Sequence, residues 1–507
     1  MMITRRALAA ALLALTLSAA ALSAAAPARA EASAPKRPYT EDIFYLIMTD
    51  RFYNGDKAND TGAEPNSPTG IHGGDLQGVI DKLDYLKELG VTGIWLTPVV
   101  ENQKGGYHGY WATDFYKVDE NLGSMETLKR LVDEAHKREM KVFLDVVVNH
   151  TAPLHPWVND PSKANWFHQE GGITNWNDQK QIENGKLAGL PDLAQENPAV
   201  KQYLIEMSKW WIDQTGVDGF RLDTVRHVPT WFWEEYTKEL HAHKPGFFLM
   251  GEAWNGDLNY LKRYLNTGLD SLVDFARLYA IQEVFARGAD PSVLHATVSR
   301  QLQETPDKVW ATFIDNHDLP RFVTGSAPGG EKKQRLALAY LLTSPGMPIL
   351  YYGTEVALPG GDDPDNRRDM KFGANPEQYA YTRALIKLRK ENPAFTRGTY
   401  TPVSRNPKVV SFVREHEGKR FLVAINNSAI EQPLDLTGVL GEGERVHNLL
   451  GEVQPTAQGQ VLTLAPQTAY VLAVGSPGAP AARWIPLALG AAAVAGAALF
   501  LLRRRKA

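Results

Sequence analysis

The sequence predicts an α/β chain: a (β/α)8 barrel, a domain inserted after its third strand, and a C-terminal antiparallel β-domain. Three observations predict it. From residue 43, eight short β-rich runs alternate with longer helical patterns, the chain order of a closed parallel barrel rather than an open sheet. The segment 151–198 is too long for an ordinary connection, and it is rich in Asn, Gly, Trp and Pro with no sustained period, so it reads as a functional insert. From 395 to 475 the pattern changes to short alternating strands separated by turn residues, the mark of a separate β-sandwich.

The chain opens with a targeting segment, 1–30. Arg5 and Arg6 form a basic start, 7–26 is apolar, and Ala28-Arg29-Ala30 is a small-residue cleavage site, so the mature chain is expected to begin near Glu31. The arginine pair permits twin-arginine export, but its flanks match poorly and the general route is preferred. The barrel is expected over 31–150 and 199–394. Its strand candidates are 43–48, 93–99, 141–148, 219–224, 247–253, 271–275, 309–316 and 348–353. Segments 76–89, 124–140 and 200–214 carry apolar residues at helical spacing. In the β-domain, 409–414, 420–425 and 469–474 alternate as strands. A Pro/Gly/Ala linker, 476–483, leads to an uncharged apolar run, 484–502. At about 1.5 Å per residue that run nearly crosses a hydrocarbon core of about 30 Å. The basic tail 503–507 places the C-terminus in the cytoplasm and everything before it outside. An exported, surface-anchored protein is expected, with cleavage and release of the anchor as the alternative. It is expected to act as a monomer.

Composition narrows the partners. The formal charge is −4 and no basic stripe is present, which leaves no electrostatic case for nucleic acid. There are no cysteines, so no disulfide holds this exported chain, and another staple, such as a metal, is expected.

Barrel enzymes carry their chemistry at the C-terminal ends of the strands. Here those ends read Asp145 to His150, Arg221-Leu-Asp223, Glu252-Ala-Trp254 and Asp315 to Asp318. In 219–227, Phe220 and Leu222 alternate with Arg221 and Asp223, so one strand face is apolar and the other charged. Charge facing a core is costly unless paired, so Arg221 and Asp223 read as an arranged pair that keeps the carboxylate ionised. This inventory suits glycoside hydrolysis, which needs one ionised and one protonated carboxyl across an oxocarbenium-like transition state. Asp223 is the expected nucleophile. Glu252, between apolar neighbours, is the expected acid. Asp318 suits sugar hydroxyls and a distorted ring, and His150 and His317 suit hydroxyl hydrogen bonds.

In order and spacing, DVVVNH (145–150), GFRLDTVRH (219–227), GEAW (251–254) and FIDNHD (313–318) resemble the four signature regions of the α-amylase family of glycoside hydrolases. LPDL (190–193) resembles the family's extra region, and YHGYWATDFYKVDENLGS and GMPILYYGTE resemble further family segments, closest to Taka-amylase-type and bacterial secreted α-amylases. The resemblance implies a retaining mechanism with Asp223 as nucleophile, Glu252 as acid/base and Asp318 as transition-state stabiliser. It implies that Tyr110, His150, Arg221 and His317 line the attacked subsite, with Trp111 as a stacking wall. Arg226 and His227 would lie on the leaving-group side, and Asp363 and Arg367 toward the non-reducing end. Family α-amylases usually have lysine at the position of Arg226, and Arg and Lys differ in geometry.

By the same resemblance, Asn149, Glu183, Asp192 and the carbonyl of His227 form a Ca2+ site pinning the insert to the barrel. A second Ca2+ loop is implied for Asn54, Asp56, Asn59 and Asp60 with Gly73 and Asp75, resembling that of cyclodextrin glucanotransferases. The activity implied is endo-hydrolysis of α-1,4 bonds in starch or glycogen. The alternatives are a maltogenic amylase, a cyclomaltodextrinase or a glucanotransferase, or, in a different class, a non-catalytic glucan-binding surface protein. The last would be expected to have lost its carboxylates, and all three are present.

Overall fold

The computed structural model describes residues 37–403, 405–451 and 454–475. The expected targeting segment, the apolar run 484–502 and the basic tail lie outside the described residues. Among the described residues no helix is long and apolar enough to cross a membrane.

Eight parallel strands close into a barrel: β1 (Phe44–Ile47), β2 (Gly93–Leu96), β5 (Lys141–Val146), β6 (Gly219–Leu222), β7 (Phe248–Gly251), β8 (Ser271–Val273), β9 (Val309–Thr312) and β10 (Met347–Tyr351). Seven fall inside their expected runs, and β10 begins one residue before the run 348–353. Between β2 and β5 lies a hairpin that the alternation did not foretell, β3 (Val100–Asn102) against β4 (Ala112–Val118). The helices obey their end signals. Asp75 caps Leu76–Leu89 by accepting from Gly78 N at 2.6 Å, and Gly90 ends it in the left-handed region at φ 103°. Ser124 caps Met125–Lys137, and Asn197 caps Pro198–Thr215.

Two details of β5, β6 and β7 set the site. The β5–β6 register places Asp145 beside Arg221, and that of β6–β7 places Leu222 beside Gly251. The ladder then continues past the strand ends. Asp223 N donates to Val146 O at 3.0 Å, and Glu252 N to Leu222 O at 2.9 Å, so both carboxyl-bearing residues are anchored by the barrel itself. Gly219 is required because a Cβ there would collide with the Phe143 ring and the Phe248 carbonyl.

The insert holds short 3₁₀ turns, a single α-helix (Gln179–Asn184) and isolated bridges, including His150 with Asp192 and Phe167 with Leu193. The C-terminal unit is a sandwich. One sheet orders β11 (Thr399–Pro402), β12 (Val409–His416), β13 (Lys419–Asn426), β18 (Thr468–Gly475) and β15 (Arg445–Asn448). The other orders β14 (Gln432–Asp435), β17 (Val461–Leu464) and β16 (Thr456–Gln458). The two-residue period divides the central strands between two cores. Val410, Phe412, Val423 and Ile425 join the barrel's apolar core, whereas Val409, Val413, Leu422 and Ala424 pack under the second sheet.

Candidate active site

The C-terminal ends of the strands surround an open cleft of about 610 Å³. Its lining includes Asp223, Glu252 and Asp318, together with Tyr110, Trp111, His150, Arg226, His227, His317, Asp363 and Arg367. Arg221 lies under the floor, 1% exposed. The structure therefore gathers every catalytic and substrate-side residue expected from the sequence, from six separate stretches of chain.

Arg221 is the hub. Its Nη1 donates to Asp223 Oδ1 at 2.7 Å and to both Asp145 oxygens at 2.9 Å, and its Nη2 lies 2.8 Å from Glu252 Oε2. A guanidinium fits this work because it is planar and presents several donors at once. Burial pushes the Glu252 carboxyl up to about 8; the Arg221 charge opposes this, while the Asp223 and Asp318 charges reinforce it. Burial likewise raises Asp318, against the pull of Arg221 and Arg367. Asp318 contacts His317 Nε2 at 3.2 Å and Arg367 Nη2 at 3.4 Å.

The turn after β6 carries strain. Thr224 sits at φ 46°, ψ 41°, a left-handed conformation that costs a β-branched residue on the order of 1–3 kcal/mol. That conformation aims Thr224 N at Glu252 Oε2, 3.2 Å away, while Val225 N donates to Glu252 O at 2.8 Å. The strained turn thus joins the ends of β6 and β7.

The histidines are held neutral. Burial lowers His317 well below its ordinary value, with Arg221 and Arg367 adding to the effect. Tyr110 donates to Asp145 Oδ2 at 2.8 Å, so it accepts from His317 Nε2–H, also at 2.8 Å. His150 is lowered by burial and donates from Nε2 to the Tyr110 carbonyl at 3.2 Å. His227, lowered by burial to about 4, donates from Nδ1 to Ile182 O at 3.0 Å, tying the turn to the insert. Asp363 Oδ1 lies 3.1 Å from Arg367 Nη1, and Tyr107 OH bonds both residues.

Some site residues were not singled out from the sequence. Asp145 was noted as a strand end but given no role; its carboxyl is buried and bonded to Trp95, Tyr110 and Arg221. His108 and Tyr107 lie within the quoted YHGYW stretch, which was the available signal. Trp176 had none, because a lone tryptophan in an aperiodic loop carries no period.

Asn149 Oδ1 and Asp192 Oδ1 are buried without a hydrogen-bond partner, as fits an oxygen-ligated cation. Burial pushes Asp192 up to about 7, against the pull of His168, whose Nδ1 lies 2.6 Å from Asp192 Oδ2. Glu183 accepts from Gln179 at 2.7 Å. Among the described residues no group of three or more His, Cys, Asp or Glu could hold one ion. The expected set differs in kind, because it draws on two carboxylates, an amide oxygen and a carbonyl. In the second loop, Asp75 is engaged by the amides of Gly55, Asp56 and Gly78, and Asp56 by that of Ala58. Asn54 Oδ1 and Asn59 Oδ1 are buried and unpartnered there, Asp60 accepts from Asn54, and a Cβ on Gly73 would run into Asp60 and Asn54.

Comparison with known proteins follows the same division of the chain. Residues 46–372 match the family described as alpha amylase, catalytic domain, and residues 403–471 match that described as maltogenic amylase, C-terminal domain. A Paenibacillus polymyxa beta/alpha-amylase is 39% identical over 85% of this chain, and the chain spans only 38% of that relative's length. A maltogenic alpha-amylase of Bacillus acidopullulyticus is 32% identical, covering 84% of this chain and 76% of its own. The crystal structure of an Anoxybacillus alpha-amylase shares 44% identity with a TM-score of 0.83, covering 87% of this chain and 99% of that one.

Proposed function

The chain belongs to the α-amylase family of glycoside hydrolases, and from that premise we propose that it hydrolyses α-1,4-glucosidic bonds of maltodextrins with retention of configuration. The observation that carries this reading is a single guanidinium, Arg221, touching both Asp223 and Glu252, with the Glu252 proton held to about pH 8. Asp223 attacks the anomeric carbon as Glu252 gives its proton to the departing glycosidic oxygen. Water then attacks the glycosyl–Asp223 ester, and Glu252 takes a proton from that water. Asp318, between His317 and Arg367, holds the ring hydroxyls during both steps. His317 and His150 are uncharged beside the sugar, each with its one ring N–H engaged by Tyr110.

For product habit, the maltogenic or cyclomaltodextrinase side is favoured over random endo-cutting. The C-terminal unit matches a maltogenic-amylase domain, and a maltogenic relative is covered over most of its length. The 44% identity to an α-amylase structure supports endo-action as the second reading. A long α-glucan blocked at its non-reducing ends separates them. Little reaction on it, with fast attack on short and cyclic maltodextrins, is expected. Rapid loss of iodine colour with few new reducing ends would overturn that expectation and leave the endo-acting reading.

Ca2+ is the cation proposed for Asn149, Glu183, Asp192 and the His227 carbonyl; when bound it would supply charge that clips the insert to the barrel. A second Ca2+ in the loop of Asn54, Asp56, Asn59 and Asp60 with Gly73 and Asp75 is proposed on the two unpartnered amide oxygens, those of Asn54 and Asn59. Export to the cell surface is the localisation proposed, and it rests on the terminal segments of the sequence alone.

A further inference from the structure

The barrel ladder anchors Asp223 and Glu252, but Asp318 lies in the loop beyond β9, which closes at Thr312. Side chains hold that loop instead. Asp318 N donates to Asn316 Oδ1 at 2.9 Å. One amide grips the backbone on both sides of Asp318: Asn366 Nδ2 donates to His317 O at 2.8 Å and to Leu319 O at 3.0 Å. Arg367 Nε donates to the same His317 O at 2.8 Å.

Asn366 is 0% exposed and does not line the cleft, so no sugar reaches it. Its orientation follows from its partners, because only the NH2 end of an amide donates, and two carbonyls face that end. Oδ1 is buried without a hydrogen-bond partner among the described residues, so the two donor bonds alone set the amide. The short turn Asp365–Arg367 that carries it is fixed from beneath. Arg321, also buried, donates from Nε to Asn366 O at 2.8 Å and from its backbone N to Gly360 O at 3.0 Å. Its guanidinium carbon lies 3.7 Å from the ring centre of Tyr351, on β10. The clamp on Asp318 is thus tied to the barrel through Arg321.

We propose that Asn366 is a positioning residue for Asp318: its one buried amide nitrogen bridges the carbonyls before and after Asp318 and so fixes where that carboxyl meets the sugar ring. The proposal rests on the glucan-hydrolase reading above. Asparagine suits the work because its NH2 group carries two protons, one for each carbonyl. An aspartate would turn oxygens toward carbonyl oxygens, and an alanine would take this donor from both. Arg367 reaches the carboxyl itself, Nη2 to Oδ1 at 3.4 Å, so the adjacent pair Asn366-Arg367 holds Asp318 by backbone and side chain together.

A double-mutant cycle on the full chain tests it, with maltoheptaose and α-maltosyl fluoride as substrates. The activated leaving group of the fluoride keeps turnover measurable when a stabilising group is lost. Asn366→Ala is expected to lower kcat on both substrates about 10- to 100-fold with KM changed less than about threefold, the mark of a displaced group at the reacting centre. In an Asp318→Asn background the same substitution is expected to lower kcat on the fluoride less than about twofold further, since groups that act as one are not additive. An undiminished fall in that background would mean that Asn366 acts on something other than Asp318, and would overturn the proposal. So would a lowered melting temperature with native kcat, which would leave Asn366 as a tie between two loops and nothing more. Should Asn366→Ala fail to fold, Asn366→Ser, which keeps one hydroxyl donor, goes through the same cycle with the same criteria. If the native protein turns over neither substrate, the functional reading falls, and the clamp's role with it, a result distinct from those.

Discussion

Arg221 and Glu252 are in direct contact, Nη2 to Oε2 at 2.8 Å, although Glu252 is the carboxyl whose proton is retained past neutral pH. The guanidinium alone would lower it. Burial outweighs that pull, and the neighbouring Asp223 and Asp318 charges add to burial, so the result is a proton donor held in place by a cation.

Removing that donor tests its role. Glu252→Gln is expected to lower kcat on maltodextrins by about 10²–10⁴. Azide, which attacks without a general base, is expected to restore turnover of α-maltosyl fluoride by the variant with release of a maltosyl azide. Wild-type rates on maltodextrin would exclude Glu252 as the acid.

The pH profile follows with its sign. A carboxyl raised from 4.5 to about 8 keeps its proton as pH rises, so kcat/KM is expected to hold through neutrality and fall as pH passes about 8. Stability has the same sign, because the folded chain binds this proton more tightly than the unfolded chain. That contribution is complete below about 4.5 and lost as pH rises through about 8. Thermal melts of native protein and Glu252→Gln across pH 4–10 check it: the difference between them should change with pH in that window and nowhere else.

Arg221→Ala leaves three buried carboxyl groups without their common partner. Breaking a buried pair in this way costs about 3–5 kcal/mol, and the loss should appear as an earlier denaturant midpoint. Arg221→Lys is expected to recover only a fraction, since one ammonium does not span the same acceptors.

Asp145 holds Arg221 with both oxygens and Tyr110 with one of them. Asp145→Asn turns an amide donor toward a cation. An expected 10- to 100-fold fall in kcat, with KM nearly constant, marks loss of position at the reacting centre, where a misplacement of about 1 Å costs roughly that much. A change confined to KM would contradict the assignment.

Chelation tests the metal proposal. Calorimetry with excess chelator is expected to lower the melting temperature, and added Ca2+ to restore it. Asp192→Asn should remove the first site's share of that response and leave only that of the second loop, because binding to the native state stabilises by mass action. An unchanged melting temperature on chelation would sink the site.

The parts of the molecule legible in its sequence are those written locally. The eight barrel strands, the helix Leu76–Leu89 and the alternation of β12, β13 and β18 follow from period, caps and turn residues. The three carboxyl groups that line the cleft, Asp223, Glu252 and Asp318, were legible because each stands after a strand within a distinctive local motif. Only the tertiary structure decided how these residues act on one another. The β5–β6 register set Asp145 beside Arg221, burial raised Glu252 and lowered the histidines, and Trp176 was brought from an aperiodic loop to the cleft. The hairpin β3–β4 and the two-sided burial of the C-terminal sheet also emerged only there. The reason is physical: propensity and period depend on neighbours within a few residues, whereas desolvation, charge coupling and side-chain contact depend on neighbours that only the closed barrel brings within a few ångströms.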